Sequence, residues 1–558
     1  MAGLLPRIEA FDTTLRDGCQ GESVKFALAH KLSIAEKLAD LGFDFIEGGF
    51  PLANDTDREF FKRAKHLRLG RAQLVAFGMT RRRGIRADED PSLLSLLAAE
   101  TPVVSLVGKA SAAQAREVLG LTDASENLRM IDESIRFLTK EGRRVFFDAE
   151  HCFDGYRSDQ EYTLEVLEVA RDAGADVLVL CDTNGGSLPE FVASIVAAVR
   201  AALGSVRLGI HTHNDGGLAI ANALAAVAQG AIQVQGTVNG IGERCGNADL
   251  TAVLPNLALK LGREVLLPDS LAKLTELSRF VYDAARLRHR DDQPYVGNSA
   301  FAHKGGLHVA AIRKDPVHYE HVRPEVVGNA RRVLVSDLSG RGNLIEKLDG
   351  FGVRYSTRDL DRVLAEVTRL EGLGWQFESA DASLHLLALR LLGEHRPWFE
   401  TQSYSVRSLG TADDSSAEND VEATVDLKVG GVLRQALRRG TGLVNALDRA
   451  LRAALPPGDR EMDRVRLKEY IIQTIPNAAD SDSAEESSAL SVRVTAQWQD
   501  DEGNVWKTVG VSRDLVAAIW SALVDAFEYA WLLEGQNEPA EPGRDLPQNR
   551  EELGAVLT

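Results

Sequence analysis

Short apolar runs rich in β-branched residues alternate with segments of helical period along the first half of the chain. In segments 28–41, 160–173 and 188–203, apolar positions recur with the spacing of helices that pack on a sheet. The predicted strands are 7–11, 43–47, 73–77, 102–107, 143–147, 176–181, 206–210 and 231–238. Eight strands alternating with helices predict an α/β fold, a (β/α)8 TIM barrel, with a doubly wound open sheet as the competing arrangement.

Polar motifs directly follow most of the predicted strands. They are residues 12–20, 47–49, 148–151, 182–184, 211–215 and 239–247. In a closed parallel barrel the carboxyl ends of all strands meet at one rim, where active sites are built from the loops that follow them. An open doubly wound sheet does not predict polar motifs after nearly every strand, so this recurrence favours the barrel.

Beyond the barrel the chain changes character twice. Residues 266–370 are predicted to be mostly helical, with a Gly- and His-rich insert at 298–308. The predicted strands that follow are 399–409, 421–428, 465–475, 489–499 and 505–511, and the predicted helices are 442–454 and 515–532. Their order indicates an internal duplication of a small α+β unit. The predicted domains are a barrel at 1–275, helical linker subdomains at 276–390, an α+β domain at 391–535 and a disordered tail at 536–558.

Composition limits the compartment and the partners. The 558-residue chain has a formal net charge of −18, which argues against a broad nucleic-acid-binding surface. The sequence shows no apolar run of membrane-spanning length and no signal-peptide pattern, and its four cysteines form no CxxC pair. We therefore expect a cytoplasmic protein that binds neither nucleic acid nor membrane. The basic run 81–83 could bind one anionic group, although a solvated loop is the simpler interpretation.

His211 and His213 follow the seventh predicted strand and could bind one metal ion. Residues i and i+2 of a strand point to the same side, so both imidazoles can face one point. Asp17 follows the first strand, which lies near the seventh and eighth in a closed barrel, and Asn247 lies beyond the eighth. A carboxylate, two imidazoles and an amide oxygen suit Mn²⁺, Mg²⁺ or Zn²⁺. Two histidines that make ordinary hydrogen bonds are the alternative.

Three further rim residues suit the chemistry of a carbonyl substrate. Arg16 can bind a carboxylate or polarise a ketone oxygen, unless it forms only a surface ion pair. Glu150 could transfer protons or orient water, and the Thr183 hydroxyl could hold a substrate carboxylate, with a structural role as the alternative for each. Segment 240–247 is not a GxGxxG dinucleotide motif, and its glycines either allow a close approach to substrate or form a tight turn.

Three motifs in a fixed order resemble the signatures of one enzyme family. They are 12–20 (DTTLRDGCQ), 211–215 (HTHND) and 242–248 (GERCGNA). They resemble those of the metal-dependent Claisen-condensing TIM-barrel enzymes, which include the 2-isopropylmalate, homocitrate and citramalate synthases and hydroxymethylglutaryl-CoA lyase. The resemblance implies a divalent metal, with Mn or Mg ahead of Zn, and acetyl-CoA as the co-substrate of an acyltransferase. The roles it implies are metal ligand for Asp17, His211, His213 and Asn247, substrate binding for Arg16 and Thr183, and catalysis for Arg16 and Glu150.

Segment 300–308 (AFAHKGGLH) resembles the part of these enzymes that supplies a catalytic histidine. The resemblance aligns His308 with that histidine, leaves His303 as the second candidate, and aligns Tyr319 with the tyrosine that accompanies it. In the relatives this segment reaches the barrel of the partner subunit, which implies a homodimer. Segment 309–311 (VAA) departs from the family pattern, because typical 2-isopropylmalate synthases have Gln-Asp-Gly there.

Finer features resemble the citramalate synthase branch of the family. They are 47–51 (EGGFP), 147–156 (FDAEHCFDGY) and 181–186 (CDTNGG). This resemblance implies pyruvate as the acceptor, with the 2-oxoisovalerate of 2-isopropylmalate synthases as the alternative. The duplicated C-terminal unit resembles the regulatory dimerisation domain of 2-isopropylmalate synthases. It implies allosteric control in isoleucine biosynthesis, with isoleucine as the expected effector, and argues against a lyase. A catalytically inactive sensor or scaffold is the remaining alternative, and the intact motifs argue against it.

Overall fold

The computed structural model describes residues 7–335, 341–408, 421–456, 464–475 and 490–537, with side chains to residue 534. The chain divides into two compact units, Met1–Ala302 with Glu320–Arg331 and His303–Tyr319 with Arg332–Thr558. This division falls inside the predicted linker, 276–390, and the predicted domain bounds remain a prediction. The predicted tail, 536–558, lies outside the described residues apart from the end of the last helix.

The first unit contains a closed barrel of eight parallel strands, which confirms the predicted fold. Its strands are β1 Glu9–Asp12, β2 Phe45–Gly49, β3 Gln73–Met79, β4 Val103–Lys109, β5 Arg144–Glu150, β6 Val177–Asp182, β7 Leu208–Thr212 and β8 Gln233–Gly236. Each strand pairs with the next, and β1 closes the barrel by pairing with β8, where Phe11 faces Gln235. The open-sheet alternative is therefore wrong.

Helices surround the strands of the first unit. They are α1 Leu28–Leu41, α2 Asp55–Ala64, α3 Pro91–Ala98, α4 Ala112–Glu117, α5 Ser125–Lys140, α6 Cys152–Ser158, α7 Gln160–Ala173, α8 Pro189–Leu203, α9 Ala219–Ala228, α10 Leu250–Pro255 and α11 Leu274–Ala285. Local signals set their ends. The Asp159 side chain accepts a hydrogen bond from the Tyr162 backbone at the start of α7, and Gly174 ends that helix in the left-handed conformation.

The amino-terminal half of the barrel interior is packed with aromatic rings. Phe11, Phe45 and Phe146 are buried, and their ring centroids lie 4.9–6.1 Å apart. Below them, Arg207 bridges Glu9 and Asp176 at 2.5 and 2.6 Å. Because the barrel interior is filled at this end, we expect the substrate at the carboxyl-terminal rim, where the active sites of such barrels are built.

The second unit combines helices with two small antiparallel sheets. Its helices are α12 Gly306–Lys314, α13 Arg341–Gly350, α14 Thr357–Gly372, α15 Asp381–Leu392, α16 Leu443–Ala454 and α17 Leu515–Asn537. Short strands β9 Ala302–His303 and β10 Arg332–Val333 precede β11 Glu400–Ser408, β12 Val421–Val429, β13 Val432–Gly440, β14 Arg466–Ile475, β15 Ser491–Gln499 and β16 Val505–Ser512. Strands β11–β13 and β14–β16 form one sheet each, and a helix follows each sheet. The predicted duplication is present as two βββα units.

One strand of this pair of units, β13, was missing from the sequence prediction. It pairs with β12 through a hairpin whose turn is Gly430-Gly431, and both glycines have positive φ. Most of its side chains are exposed, and only Ala436 and Gly440 are buried. A strand without a clear apolar face carries little periodic signal, so the glycine pair was the feature that could have revealed it.

Helix α17 is long and apolar enough, over Leu515–Glu534, to meet the length and composition criterion for a membrane span. Its apolar side chains, including Ile519, Ala526 and Phe527, are buried in the core of the second unit. Two carboxylates of the same helix, Asp525 and Glu528, are buried as well. We therefore interpret α17 as a core helix of the second unit.

Candidate active site and metal centre

Asp17, His211 and His213 meet at the carboxyl-terminal rim of the barrel. His211 Nε2 lies 3.2 Å from Asp17 Oδ2 and 3.4 Å from His213 Nε2. One donor atom from each residue lies within 4.8 Å of the other two, and all three side chains are buried. His211 lies near the end of β7 and His213 lies one residue beyond it. The strand geometry therefore directs both rings to one side, as the spacing predicts.

The donor atoms of this cluster fit a divalent cation. Within the described part of the chain, Asp17 Oδ1 and Asn247 Oδ1 are buried without a hydrogen-bond partner. Asn247 Nδ2 donates to the Ile241 carbonyl at 3.3 Å, which turns the amide oxygen away from that contact. Buried oxygens without a donor are costly unless a cation or water satisfies them. Two imidazole nitrogens, a carboxylate and an amide oxygen are a donor set that Mn²⁺, Mg²⁺ and Zn²⁺ accept.

Electrostatics favour the protonation states that metal ligands need at Asp17 and His213. Burial acts to lower the pKa of His211, but the hydrogen bond to Asp17 and the charge of Asp17 outweigh it and raise that pKa. Burial acts to raise the pKa of Asp17, but the charge of Arg16 and the hydrogen bond from His211 outweigh it and hold the pKa well below the usual value. Burial, with the nearby charge of His211, lowers the pKa of His213 to about 4. At neutral pH Asp17 is therefore a carboxylate and His213 a neutral imidazole, as a metal-binding site requires.

Arg16 is fixed in place beside the metal-ligand cluster. Its Nε donates to Glu47 Oε2 at 2.6 Å, its Nη1 lies 3.3 Å from Asp17 Oδ2, and its guanidinium lies 4.0 Å from the centroid of Phe77. Burial raises the pKa of Glu47 to about 7, against the opposing charge of Arg16. Only 12% of the Arg16 side chain is exposed, so this is not the surface ion pair that was the alternative interpretation.

Glu150 and Thr183 occupy neighbouring positions of the rim. Glu150 ends β5 and forms an ion pair with Lys109, which ends β4 in the same register. The Thr183 hydroxyl oxygen accepts a hydrogen bond from the His151 backbone N–H at 2.8 Å, so its own proton is available to a ligand. His151 adopts φ = 58°, a left-handed conformation that is uncommon outside glycine and often found at functional sites.

The loop that carries Asn247 is a tight turn with an unusual backbone. Asn239, Gly240, Arg244 and Gly246 all have positive φ. A Cβ atom on Gly246 would overlap the Gly240 carbonyl oxygen, so only glycine fits there. The turn places Asn247 opposite His213 in a β-bridge. The segment is therefore a tight turn, and a close approach of its backbone to substrate stays a prediction.

His308 and Tyr319 lie in the second unit, where their rings stack with centroids 4.2 Å apart. His308 belongs to α12, and both residues are exposed. These two residues are the ones that the family resemblance aligns with a catalytic histidine and its accompanying tyrosine. Their part in the chemistry stays a prediction, as does that of His303.

One residue of the basic run 81–83, Arg81, makes structural contacts within the first unit. The buried Arg81 forms ion pairs with Glu133 at 2.6 Å and Glu126 at 3.2 Å. Its backbone N–H donates to Ser134 Oγ. Arg81 therefore anchors its loop to α5, and the interpretation as a solvated loop applies only to the exposed Arg82 and Arg83.

Several polar residues of the site were not named as candidate site residues from the sequence, although Glu47 and Asp148 belong to the polar motifs 47–49 and 148–151. They are Glu47, Ser105, Lys109, Asp148 and Gln235, each on a barrel strand and hydrogen-bonded toward a candidate site residue or its partner. The available signal was a polar residue inside an otherwise apolar strand, since burying such a group without a partner is unfavourable. That signal identifies the residue but not its partner, which comes from another strand.

Known protein families match successive segments of the chain from the barrel to the C-terminal domain. The HMGL-like family matches residues 7–281, the homocitrate synthase post-HMGL domain-like family 295–373, and the LeuA allosteric (dimerisation) domain 378–531. The (R)-citramalate synthases of Geobacter sulfurreducens and Aquifex aeolicus are 44% and 45% identical to this chain, each over 94% of this chain and 97% of their own. A probable 2-isopropylmalate synthase of Methanopyrus kandleri is 33% identical over 93% of this chain and 97% of its own.

An HMGL-like barrel followed by a LeuA-type domain defines the class of this protein, a Claisen-type condensing enzyme that transfers an acyl group. The higher identity to citramalate synthases than to the 2-isopropylmalate synthase then decides between the branches. The chain belongs to the (R)-citramalate synthase family, which confirms the branch that the sequence motifs predict.

Proposed function

We propose that this enzyme condenses acetyl-CoA with pyruvate and hydrolyses the thioester, releasing (R)-citramalate and CoA. The observation that carries the proposal is the buried cluster of Asp17, His211 and His213 beside the fixed guanidinium of Arg16. A 2-oxo acid presents a carboxylate and a ketone oxygen side by side, and a cation next to an arginine is suited to bind both. The relatives named (R)-citramalate synthases support pyruvate as the acceptor and the hand of the product.

Asp17, His211, His213 and Asn247 would hold the divalent metal, Mn or Mg before Zn. When bound, the metal supplies Lewis-acid polarisation of the ketone and stabilises negative charge on its oxygen. Arg16, oriented by Glu47, binds the same ketone oxygen and stabilises the charge that develops there. The Thr183 hydroxyl, which accepts a hydrogen bond from the His151 backbone N–H, donates a hydrogen bond to the substrate carboxylate.

Carbon–carbon bond formation needs a base for the methyl group of acetyl-CoA. In our proposal His308, accompanied by Tyr319, accepts one methyl proton, and the resulting enolate carbon attacks the ketone carbon of pyruvate. The ketone oxygen becomes an alkoxide and takes up a proton to give the tertiary alcohol. Water then adds to the thioester carbonyl, the carbon–sulfur bond breaks, and the thiolate is protonated as CoA leaves. Glu150, paired with Lys109, orients that water and moves its proton.

The acceptor specificity is tested by steady-state kinetics with a panel of 2-oxo acids and a thiol reagent that detects released CoA. We expect pyruvate to give the highest kcat/KM and 2-oxoisovalerate a much lower value. Chiral chromatography of the product tests the (R) configuration. A higher kcat/KM with 2-oxoisovalerate than with pyruvate would overturn the assignment of the acceptor.

Assembly and regulation follow from the second unit in the same proposal. The match to a LeuA allosteric (dimerisation) domain supports a homodimer that responds to an end product. Citramalate leads toward isoleucine, so isoleucine is the proposed effector. Light scattering of the purified chain should give the mass of a dimer, and saturating isoleucine should lower the rate. A rate unaffected by isoleucine but lowered by another branched-chain amino acid would reassign the effector.

A further inference from the structure

A buried chain of hydrogen bonds runs from His211 into the wall of the barrel. His211 Nδ1 lies 2.9 Å from Gln235 Oε1, Gln235 Nε2 lies 3.3 Å from Asp148 Oδ1, and Ser105 Oγ lies 2.6 Å from Asp148 Oδ2. At most 5% of each of these residues is exposed. They belong to β7, β8, β5 and β4, so barrel closure alone brings them together.

With Asp148 ionised, the chain of hydrogen bonds has one direction that satisfies every polar atom in it. A carboxylate only accepts, so Asp148 accepts one hydrogen bond from the Ser105 hydroxyl and one from the Gln235 amide nitrogen. The amide oxygen of Gln235 is then the atom that faces His211. Because an amide oxygen only accepts, His211 Nδ1 carries a proton, so the neutral ring that a metal ligand requires has its lone pair on Nε2, the atom that faces Asp17.

His213 provides an internal contrast. Its Nδ1 is buried and has no hydrogen-bond partner among the residues that the structure describes. The protein therefore sets the ring tautomer at His211 and not at His213. Any effect of the hydrogen-bond chain on the cluster should act through His211.

We propose that Gln235, oriented by Asp148 and Ser105, is a positioning residue that fixes His211 with Nε2 free for a divalent metal ion. This inference deepens the proposed metal-dependent function and rests on it. A hydrogen bond to the far nitrogen of a metal-binding histidine selects the tautomer, holds the ring in its plane and makes the ligand more basic. Gln235 itself would touch neither metal nor substrate.

The test measures metal affinity without turnover. The full-length chain, stripped of metal, is titrated with Mn²⁺ against a fluorescent chelator in the absence of substrates. Gln235→Met keeps the size of the side chain but removes the acceptor, and we expect the Kd for Mn²⁺ to rise roughly 10- to 100-fold. The matched control is Gln233→Met, because Gln233 is buried in the same strand and donates instead to Glu9. Equal affinity of the Gln235→Met variant and the parent chain would overturn the proposal.

A double variant separates tautomer control from simple packing. In Gln235→Glu/Asp148→Asn, the new carboxylate accepts from His211 Nδ1 and the new amide donates to that carboxylate, while Ser105 still donates to the amide oxygen. We expect the Kd for Mn²⁺ to return close to the parental value. A double variant that binds as weakly as Gln235→Met contradicts the proposal. If Gln235→Met does not fold, as judged by circular dichroism, Gln235→Asn asks the same question, because its shorter amide cannot reach both neighbours.

A failure of this inference can be distinguished from a failure of the proposed function. A chain that binds Mn²⁺ in a Gln235-dependent way but releases CoA with none of the 2-oxo acids would overturn the proposed reaction and leave the inference standing. A chain that turns over pyruvate and binds Mn²⁺ equally well with and without the Gln235 amide would overturn only the inference.

Discussion

The Arg16 guanidinium is held by the Glu47 carboxylate, with Nε and Oε2 2.6 Å apart and the Glu47 side chain fully buried. The guanidinium also lies over the Phe77 ring, so two contacts from β2 and β3 fix its plane. A buried arginine that is oriented in this way can stabilise charge on a substrate oxygen without rearranging during the reaction. Arg16 therefore contacts Glu47 in addition to the neighbouring metal-ligand candidate Asp17, whose Oδ2 lies 3.3 Å from Arg16 Nη1.

Replacing Arg16 with lysine should reduce turnover although the charge is kept. Lysine lacks the planar fork that contacts Glu47 and the substrate oxygen at once. We expect Arg16→Lys to lower kcat/KM for pyruvate roughly 100-fold or more, with the Kd for Mn²⁺ nearly unchanged. Arg157→Lys is the control, because Arg157 is exposed and lies over Phe191. Near-parental kcat/KM in Arg16→Lys would show that charge alone suffices.

Removing the metal or its ligands should abolish CoA release. We expect Asp17→Ala and His211→Ala to lose both Mn²⁺ binding and activity, because each removes a buried donor atom of the cluster. Chelation of the parent enzyme should have the same effect on activity, and added Mn²⁺ should reverse it. His289→Ala, which affects a partly exposed histidine paired with Asp283, should behave as the parent does. Full activity of a metal-stripped Asp17→Ala/His211→Ala chain is incompatible with the scheme.

The backbone of the Asn247 loop should tolerate no side chain at Gly246. Gly246 has φ = 86°, and a Cβ atom there would overlap the Gly240 carbonyl oxygen. We expect Gly246→Ala to displace Asn247, weaken Mn²⁺ binding and destabilise the fold by about 1–3 kcal/mol. Gly262→Ala has a similar positive φ but open space around the added atom, so it measures the backbone strain alone. Equal metal affinity of the two variants would argue against a role for the loop geometry.

Removing the cation beside Glu150 should affect chemistry more than metal binding. Lys109→Met leaves the Glu150 carboxylate without its ion-pair partner at the rim. Since hydrogen bonds to charged groups contribute substantially to orientation, we expect kcat to fall roughly 10-fold or more while the Kd for Mn²⁺ is kept. Lys109→Arg should recover part of the loss. Unchanged kcat in Lys109→Met would remove Glu150 from the proposed proton transfers.

Acid should destabilise the second unit through His385. This residue is 3% exposed and stacks on Phe351, and burial lowers its pKa from 6.5 to about 4. Because the folded state resists protonation, the stabilisation is complete above pH 6.5 and is lost as the pH falls toward 4, by up to about 3 kcal/mol.

Denaturant unfolding at several pH values checks this prediction. All six tryptophans belong to the second unit, so their fluorescence follows that unit alone. His385→Phe keeps the ring stack and should flatten the pH dependence between 6.5 and 4, whereas His318→Phe, at an exposed site, should not. Identical pH dependence in the His385→Phe variant and the parent would contradict the assignment.

Much of the fold could be predicted from the sequence because local pattern and tertiary structure agree in the barrel. The predicted helices 28–41 and 160–173 match α1 and α7 at both ends, and all eight predicted strands are present. Strands of a parallel barrel are buried on both faces and read as apolar runs, which makes them easy to recognise. Strand β13 escaped because exposure on most of its positions removes that pattern.

The candidate ligands could be found from the sequence because a strand end, a spacing of two residues and three ordered motifs point to Asp17, His211 and His213 without any contact being known. The partners of these residues could not be found in this way. Arg16 meets Glu47 across 31 positions of the chain. His211 meets Gln235 across 24 positions, and Gln235 meets Asp148 across 87. Such pairs are selected by barrel closure and register, which local sequence does not encode. The sequence thus determined the chemistry available at the rim, whereas the tertiary structure decided which groups orient it, because a buried polar atom must find its partner in space.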